Sequence, residues 1–198
     1  MMLNEVTTVP DGALPVEEFK AHLRLGSGFG NDSVQNAVLI SFLRAAVAAV
    51  EARTGKVLIT RDFLLSVTEL TAPDAIALPV APVGTVNAVS TLDRSGGETP
   101  LSGDAYWLER DMHRPRLRSV SASLPVVTQG GSMTVSFTAG YGPSWSNVPA
   151  DLAHAVMLLA AHYYEFRNET SLSEGCMPFG VTSLIERYKP MRLGGGVR

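Results

Sequence analysis

The sequence predicts an α+β fold: a helical bundle of two N-terminal helices and one long C-terminal helix, with an inserted antiparallel β subdomain and a flexible C-terminal tail. Apolar residues recur at helical spacing in 15–55 and again in 149–190, whereas they alternate with polar residues across 56–142. The final stretch, 191–198, contains three consecutive glycines. A chain of 198 residues is long enough for one domain that contains such an insertion.

Two helices are predicted before the β region. The first begins at Pro15, a residue suited to a first helical turn, and ends near Leu25. After the flexible link GSGFGNDS, a second helix runs from about Val34 to Thr54, and Gly55 ends it. Spacing predicts that its packed stripe consists of Val34, Val38, Phe42, Ala45 and Ala49.

The middle of the chain changes to a period of two. Alternation begins in KVLITRDFLLSV and is strictest in SMTVSFTAGY, where Met133, Val135 and Phe137 alternate with serine and threonine. Proline, glycine and aspartate separate the shorter apolar pieces between these two segments. We therefore expect short antiparallel strands joined by turns.

Helical spacing returns after Pro149 and gives the clearest helix in the sequence. A short helix in GVTSLIERYKP follows, ended by Pro190, and then the basic, glycine-rich tail. The apolar residues of the three main helices are predicted to form the helical core: Phe19, Leu23, Val38, Phe42, Leu152, Val156, Leu159 and Tyr163.

Composition narrows the classes of function. A net charge of -3 and a pI near 5.8 disfavour a protein that holds nucleic acid by neutralising phosphates, although DNA could still pass through a channel of such chains. The single cysteine, Cys176, cannot form an intrachain disulfide or a thiolate cluster and fits a reducing cytoplasm. No segment has the pattern of a secretion signal or a membrane span, so we expect a soluble protein.

Catalysis and cofactor binding find no support in the residue pattern. His154 and His162 lie eight residues apart on one predicted helix, whereas a zinc site on a helix needs histidines at i and i+4. No serine nucleophile motif is present, and no histidine neighbours Cys176 in sequence. GSGFG lacks the lysine and hydroxyl residue of a phosphate loop and is interpreted as a hinge. We expect no enzymatic activity, cofactor or metal.

Two segments are candidates for contacts with partners. One is a basic hairpin with its turn near Asp111, interpreted first as a solvated hairpin and, as an alternative, as a contact for an acidic partner or DNA. Its cations are Arg110, Arg114, Arg116 and Arg118. The other is the C-terminal segment, which is expected to order against another subunit. Its predicted contacts are Leu184, Tyr188, Met191, Arg192 and Leu193.

Five stretches between Leu14 and Pro190 carry a resemblance to a known family. They are LPVEEFKAHLRL; VEARTGKVLITRDF; LPVAPVGTVNAV; VSFTAGYG with the PADLAHAVMLLAAHYYEFR helix; and GVTSLIERYKP. In their order and spacing, the chain resembles the head-tail connector (adaptor) proteins of long-tailed phages, including the versions kept by gene transfer agents.

The resemblance implies a ring of subunits, usually twelve, beneath the portal of a DNA-filled head. It implies portal, stopper or tail-terminator proteins as partners, transient passage of double-stranded DNA, and no membrane. The helices would build the ring, and the β insertion would face outward or toward a neighbour. In such a particle we expect the C-terminal segment to order against the portal or a neighbouring adaptor. The protein would be in the host cytoplasm during assembly and then in the particle neck.

Two alternatives remain at this point. Another virion neck or tail-completion protein would be expected to be mainly β and to lack the long C-terminal helix. A small enzyme with an unrecognised site would need a pocket that holds convergent polar groups.

Overall fold

The structure, a computed structural model, describes residues 1–25, 33–167 and 177–190. Across these ranges the chain forms four α-helices and eight β-strands in two compact units. The first unit comprises Met1–Ala13 and Lys56–Asn147, and the second comprises Leu14–Gly55 and Val148–Arg198.

The first unit contains two antiparallel sheets. The strands are β1 (Met2–Glu5), β2 (Arg61–Val67), β3 (Ala75–Ala77), β4 (Val83–Leu92), β5 (Glu98–Pro100), β6 (Tyr106–Glu109), β7 (Arg116–Ser119) and β8 (Ser132–Ala139). Five of them form a sheet in the order β1-β2-β8-β4-β5, and the other three form a smaller sheet in the order β3-β7-β6. The smaller sheet therefore has β3 and β6 as its outer strands.

Strict alternation in β2 and β8 builds the core of this unit. The strands pair so that Phe63 lies opposite Phe137 and Leu65 opposite Val135, and the two phenyl rings stack with centroids 5.6 Å apart. All four side chains are buried. Because side chains alternate across a strand, the serines and threonines of β8 fall on the other face, where Thr138 donates a hydrogen bond to Asp62 (2.7 Å). The predicted antiparallel strand in SMTVSFTAGY is confirmed.

The second unit consists of helices. These are α1 (Val16–His22), α2 (Ser33–Thr54), α3 (Ala150–Glu165) and α4 (Phe179–Ile185). A proline sits at the N-cap of three of them, α1, α3 and α4, where the missing N–H costs nothing. Within the described ranges, no helix is long and apolar enough to span a bilayer.

The predicted fold class is wrong in its architecture. In the part of the chain that the structure describes, four helices and two antiparallel sheets form a mixed α/β protein, and not a helical bundle with one long C-terminal helix. Among the described helices, the longest is α2, with 22 residues against 16 in α3. In addition, the N-terminal residues form β1, which pairs with β2. The β unit therefore includes N-terminal residues as well as the segment that was predicted as an insertion. The short segment MLNE gave no pattern long enough to predict this strand. The predicted flexible tail, 191–198, lies outside the described residues.

The predicted packed stripe of α2 is displaced by one residue. The apolar side chains of α2 that are buried are Leu39, Leu43, Ala46, Val47 and Val50. Val38 is 42% exposed and Phe42 is half-buried. Apolar residues surround most of this helix, so spacing alone could not select the buried face. Elsewhere in the predicted core, Phe19 and Leu159 are fully buried with Leu152 and Val156, whereas Leu23 and Tyr163 are half-buried.

Candidate partner-binding surfaces

The predicted basic hairpin exists and is formed by β6 and β7. Their register pairs Trp107 with Arg118 and Glu109 with Arg116. The turn is organised by Asp111, whose carboxylate accepts hydrogen bonds from the backbone N–H groups of His113 and Arg114, each at 2.7 Å. These two bonds favour the ionised carboxylate and lower the pKa of Asp111.

The cations of this hairpin do not form a continuous basic surface. Arg118 donates to Glu109 and to Asp74, each at 2.7 Å, and the bond to Glu109 is the main cause of its raised pKa. Arg110 donates to the carbonyl of Gly84. Because carboxylates alternate with the guanidinium groups, the hairpin is less suited to a phosphate backbone than an unpaired basic patch would be.

A buried lysine is hydrogen-bonded to the hairpin turn. Lys56 is 2% exposed, and its ammonium donates to the carbonyl of Met112 and lies 3.3 Å from His113 Nδ1. Burial lowers the pKa of Lys56, while the nearby carboxylate of Asp111 acts in the opposite direction. This lysine fixes the turn and leaves the side chain of Met112 64% exposed at its tip.

The outer face of the small sheet carries an exposed tryptophan. Strand alternation places Trp107, Glu109, Arg116 and Arg118 on this face, and Leu108 and Leu117 on the face toward the core. Trp107 is 50% exposed. Beside it, Val120 is 63% exposed, and its N–H donates to the carbonyl of Ala105 (3.0 Å).

An apolar hollow of about 340 Å³ borders β3, at the opposite edge of the same sheet. The lining residues are mostly apolar and include Met1, Val67, Leu70, Ala72, Ile76 and Ala77. Glu69 and Arg116 are its charged members. Trp107 does not line the hollow.

The predicted C-terminal contacts divide into two groups. Leu184 lies on α4 and is half-buried, while Tyr188 is 5% exposed in a short 3-10 turn that follows α4. Met191, Arg192 and Leu193 fall outside the described residues. The contact of either group with a partner stays a prediction.

Tyr188 is held inside the helical unit by a polar network. Its hydroxyl donates to Asp151 Oδ1 (2.6 Å) and accepts from Arg187 (2.6 Å), which also pairs with Asp151 Oδ2 at 2.7 Å. Burial is the main cause of the raised pKa of Tyr188, with its hydrogen bond to Asp151 next. The network attaches the end of the described C-terminal segment to the first turn of α3.

The two histidines of α3 are not close enough to each other to share an ion. The ring of His154 meets that of His22 edge to face at 6.5 Å, and His162 lies against Phe166 at 4.6 Å. Among residues 1–25, 33–167 and 177–190, no cluster of histidine, cysteine, aspartate and glutamate could hold a metal ion.

The sequence pattern does not reveal the surface formed by Trp107 or the hollow beside β3. The segment YWLE contains three apolar residues in a row, so it gave no alternation from which to assign the exposed face. The hollow is formed by residues that are far apart in sequence, from Met1 to Arg116, and no local motif marks it.

Comparison with solved structures gives matches over the full length of the chain. A chain of the neck of an empty gene transfer agent (GTA) particle, computed with C6 symmetry, is 52% identical with a TM-score of 0.89. A chain of a native GTA virion is 50% identical with a TM-score of 0.86, and one from a native GTA neck computed with C12 symmetry is 48% identical with a TM-score of 0.85. Each match covers 99% of both chains.

Two other comparisons contribute less. The human protein choriogonadotropin subunit beta 7 is 34% identical over 89 residues, which is 43% of this chain. The chain spans about half, 53%, of that curated relative's length. No family model matches the sequence.

Proposed function

Because this chain belongs to the neck proteins of gene transfer agent particles, which are structural proteins and not enzymes, we propose that it is the adaptor subunit between portal and tail. The observation that carries the proposal is the match to GTA neck chains at 48–52% identity over 99% of the chain. In this role, the protein joins the DNA-filled head to a stopper or tail-terminator protein. It assembles in the cytoplasm of the producing cell.

The proposed assembly is a ring of twelve copies. The matched necks were computed with C6 and with C12 symmetry, and a ring of twelve equivalent copies obeys both because a twelve-fold axis contains a six-fold axis. A ring of six copies would not obey twelve-fold symmetry. This argument supports twelve copies as the proposed number.

Double-stranded DNA passes through the proposed ring without being held by it. The chain has a net charge of -3, and Arg118 and Arg187 are paired with carboxylates. Tight binding to a duplex requires several cations that neutralise phosphates and release counterions. A channel that must release DNA gains from the lack of such a surface.

The proposed attachment to the portal is the segment after Pro190. Tyr188 is buried against Asp151, so we assign it to holding the start of this segment in place and leave the contact itself to Met191, Arg192 and Leu193. Two apolar side chains and one arginine are typical of a peptide that inserts into a partner.

Binding to purified portal tests the proposal. The full-length protein is mixed with portal rings of the same particle, and the complex is separated by sedimentation and imaged in negative stain. A ring of the adaptor stacked on one end of the portal is the expected result. Binding to tail proteins but not to portal would instead assign the chain to another position in the neck.

A further inference from the structure

We propose that the small sheet provides the contact between neighbouring copies in the ring, with Trp107 of one copy inserted into the hollow beside β3 of the next. This inference rests on the proposed ring and names the surface that would close it. The occupant of the hollow is thus a second copy of this chain.

The first argument is geometric. Trp107 lies on β6 and the hollow borders β3, which are the two outer strands of one three-stranded sheet. They are separated by two strand spacings, roughly 9.5 Å. Trp107 is not among the residues that line the hollow of its own chain, but the exposed indole of one copy and the hollow of the next face each other when copies are arranged head to tail. Head-to-tail contacts of this kind close into rings when the rotation between copies permits.

The second argument is the fit between the side chain and the hollow. The volume of about 340 Å³ equals that of on the order of eleven liquid waters, which is enough for the nine ring atoms of an indole. Its walls are mostly apolar, and Trp107 is half-exposed although it is among the most apolar of large side chains. Full enclosure of an aromatic side chain buries roughly 150–250 Å². Because half of Trp107 is already covered, insertion would remove about half of that area from water.

The third argument is the rigidity of the surroundings of Trp107. Its cross-strand neighbour Arg118 is fixed by Glu109 and Asp74, so the face is organised before any partner binds. Val120, which is also exposed, pairs through its N–H with Ala105, two residues before Trp107. A tryptophan beside an arginine on a preformed surface is the composition typical of the residues that dominate binding energy at interfaces.

The chemistry of a different occupant is less well matched. DNA requires cations, and the charged residues at the hollow are one of each sign, Glu69 and Arg116. A small polar ligand would require convergent polar groups, whereas the walls are apolar.

Disulfide trapping tests the inference in assembled particles. The double variant Trp107→Cys, Ala72→Cys places one thiol on β6 and one at the hollow. Ala72 pairs with Ala75 on the outer side of β3, so three strand spacings, roughly 14 Å, separate the two positions, which is more than a disulfide can bridge within a chain. Mild oxidation of particles is expected to give a ladder of disulfide-linked copies on a non-reducing gel. The single variants Trp107→Cys and Ala72→Cys, which also retain Cys176, are the matched controls and should give no ladder.

Several outcomes would overturn the inference. Particles that contain the double variant but give no ladder exclude the contact, and a cross-link to another neck protein assigns the hollow to that protein. If the double variant forms no particles, a 1:1 mixture of the two purified single variants must give a disulfide-linked dimer that neither gives alone. Failure of the wild-type protein to bind portal would contradict the proposed adaptor role, whereas portal binding without these cross-links would contradict this contact only.

Discussion

The hydroxyl of Tyr188 donates a 2.6 Å hydrogen bond to the carboxylate of Asp151, which joins residues 37 positions apart in sequence. Arg187 completes the network by pairing with the same carboxylate. The contact ties the end of the described C-terminal segment to the start of α3.

Replacing Tyr188 with phenylalanine should destabilise the protein modestly. The ring still fills its buried site, but the hydrogen bond is lost, and a single bond of this kind contributes roughly 0.5–1.5 kcal/mol. Urea unfolding followed by circular dichroism measures the change. Lys189→Ala, which removes an i,i+3 pair with exposed Glu186, is the matched control and should stay within about 0.5 kcal/mol of wild type. Equal stabilities of Tyr188→Phe and wild type would mean that the network contributes nothing.

Alkaline pH should lower the free energy of unfolding through the ionisation of Tyr188. The pKa of Tyr188 is raised above its ordinary value of 10.0, so the folded state holds the phenolic proton at a pH where the unfolded chain releases it. The stabilisation is therefore complete below pH 10 and is lost as the pH rises through the folded pKa. Urea unfolding at several pH values should show a steeper decline for wild type than for Tyr188→Phe. Parallel curves would argue against a raised pKa.

Leu159→Ala and Val38→Ala should differ strongly in effect. Leu159 is fully buried on α3, and truncating such a leucine costs roughly 2–5 kcal/mol through lost contacts and a cavity. Val38 is 42% exposed on α2 and should change the free energy of unfolding by less than about 0.5 kcal/mol. Thermal and urea unfolding of the purified variants compare the two. A large decrease in the free energy of unfolding for Val38→Ala in the isolated chain would support the stripe that spacing predicted.

The contrast between these two residues shows what the sequence could predict. The extent of α2 was predictable because twenty-odd residues without proline or glycine end at Gly55, and the predicted range of about Val34 to Thr54 agrees with Ser33–Thr54. The buried face of α2 was not predictable, because apolar residues surround the helix and only the neighbouring helices decide which of them pack. In β8 the strict alternation left no such ambiguity, and the predicted face is the buried one.

The candidate site was less predictable than the core. The sequence predicts Tyr188 as a contact for a partner, but it gives no sign of the hydrogen bond to Asp151, which only the fold brings to the hydroxyl of Tyr188. The guanidinium of Arg118 was taken as part of a basic patch, although cross-strand pairing places Glu109 and Asp74 beside it. Long-range partners of this kind leave no periodic signal in the sequence.

Two truncations separate the folding role of the C-terminal segment from its proposed role in attachment. Removing 191–198 leaves Tyr188 and its bonds to Asp151 and Arg187 intact, so the free energy of unfolding should stay within about 0.5 kcal/mol of wild type. The same deletion removes Met191, Arg192 and Leu193 and should abolish attachment, giving DNA-filled heads without tails in electron micrographs.

A longer deletion that begins at Tyr188 also removes a buried aromatic side chain and should cost roughly 3–5 kcal/mol. The shorter deletion is therefore the informative one, because its loss of attachment cannot be ascribed to unfolding. Normal tailed particles from it would move the attachment surface to another part of the chain, with the hairpin from Tyr106 to Arg118 as the next candidate.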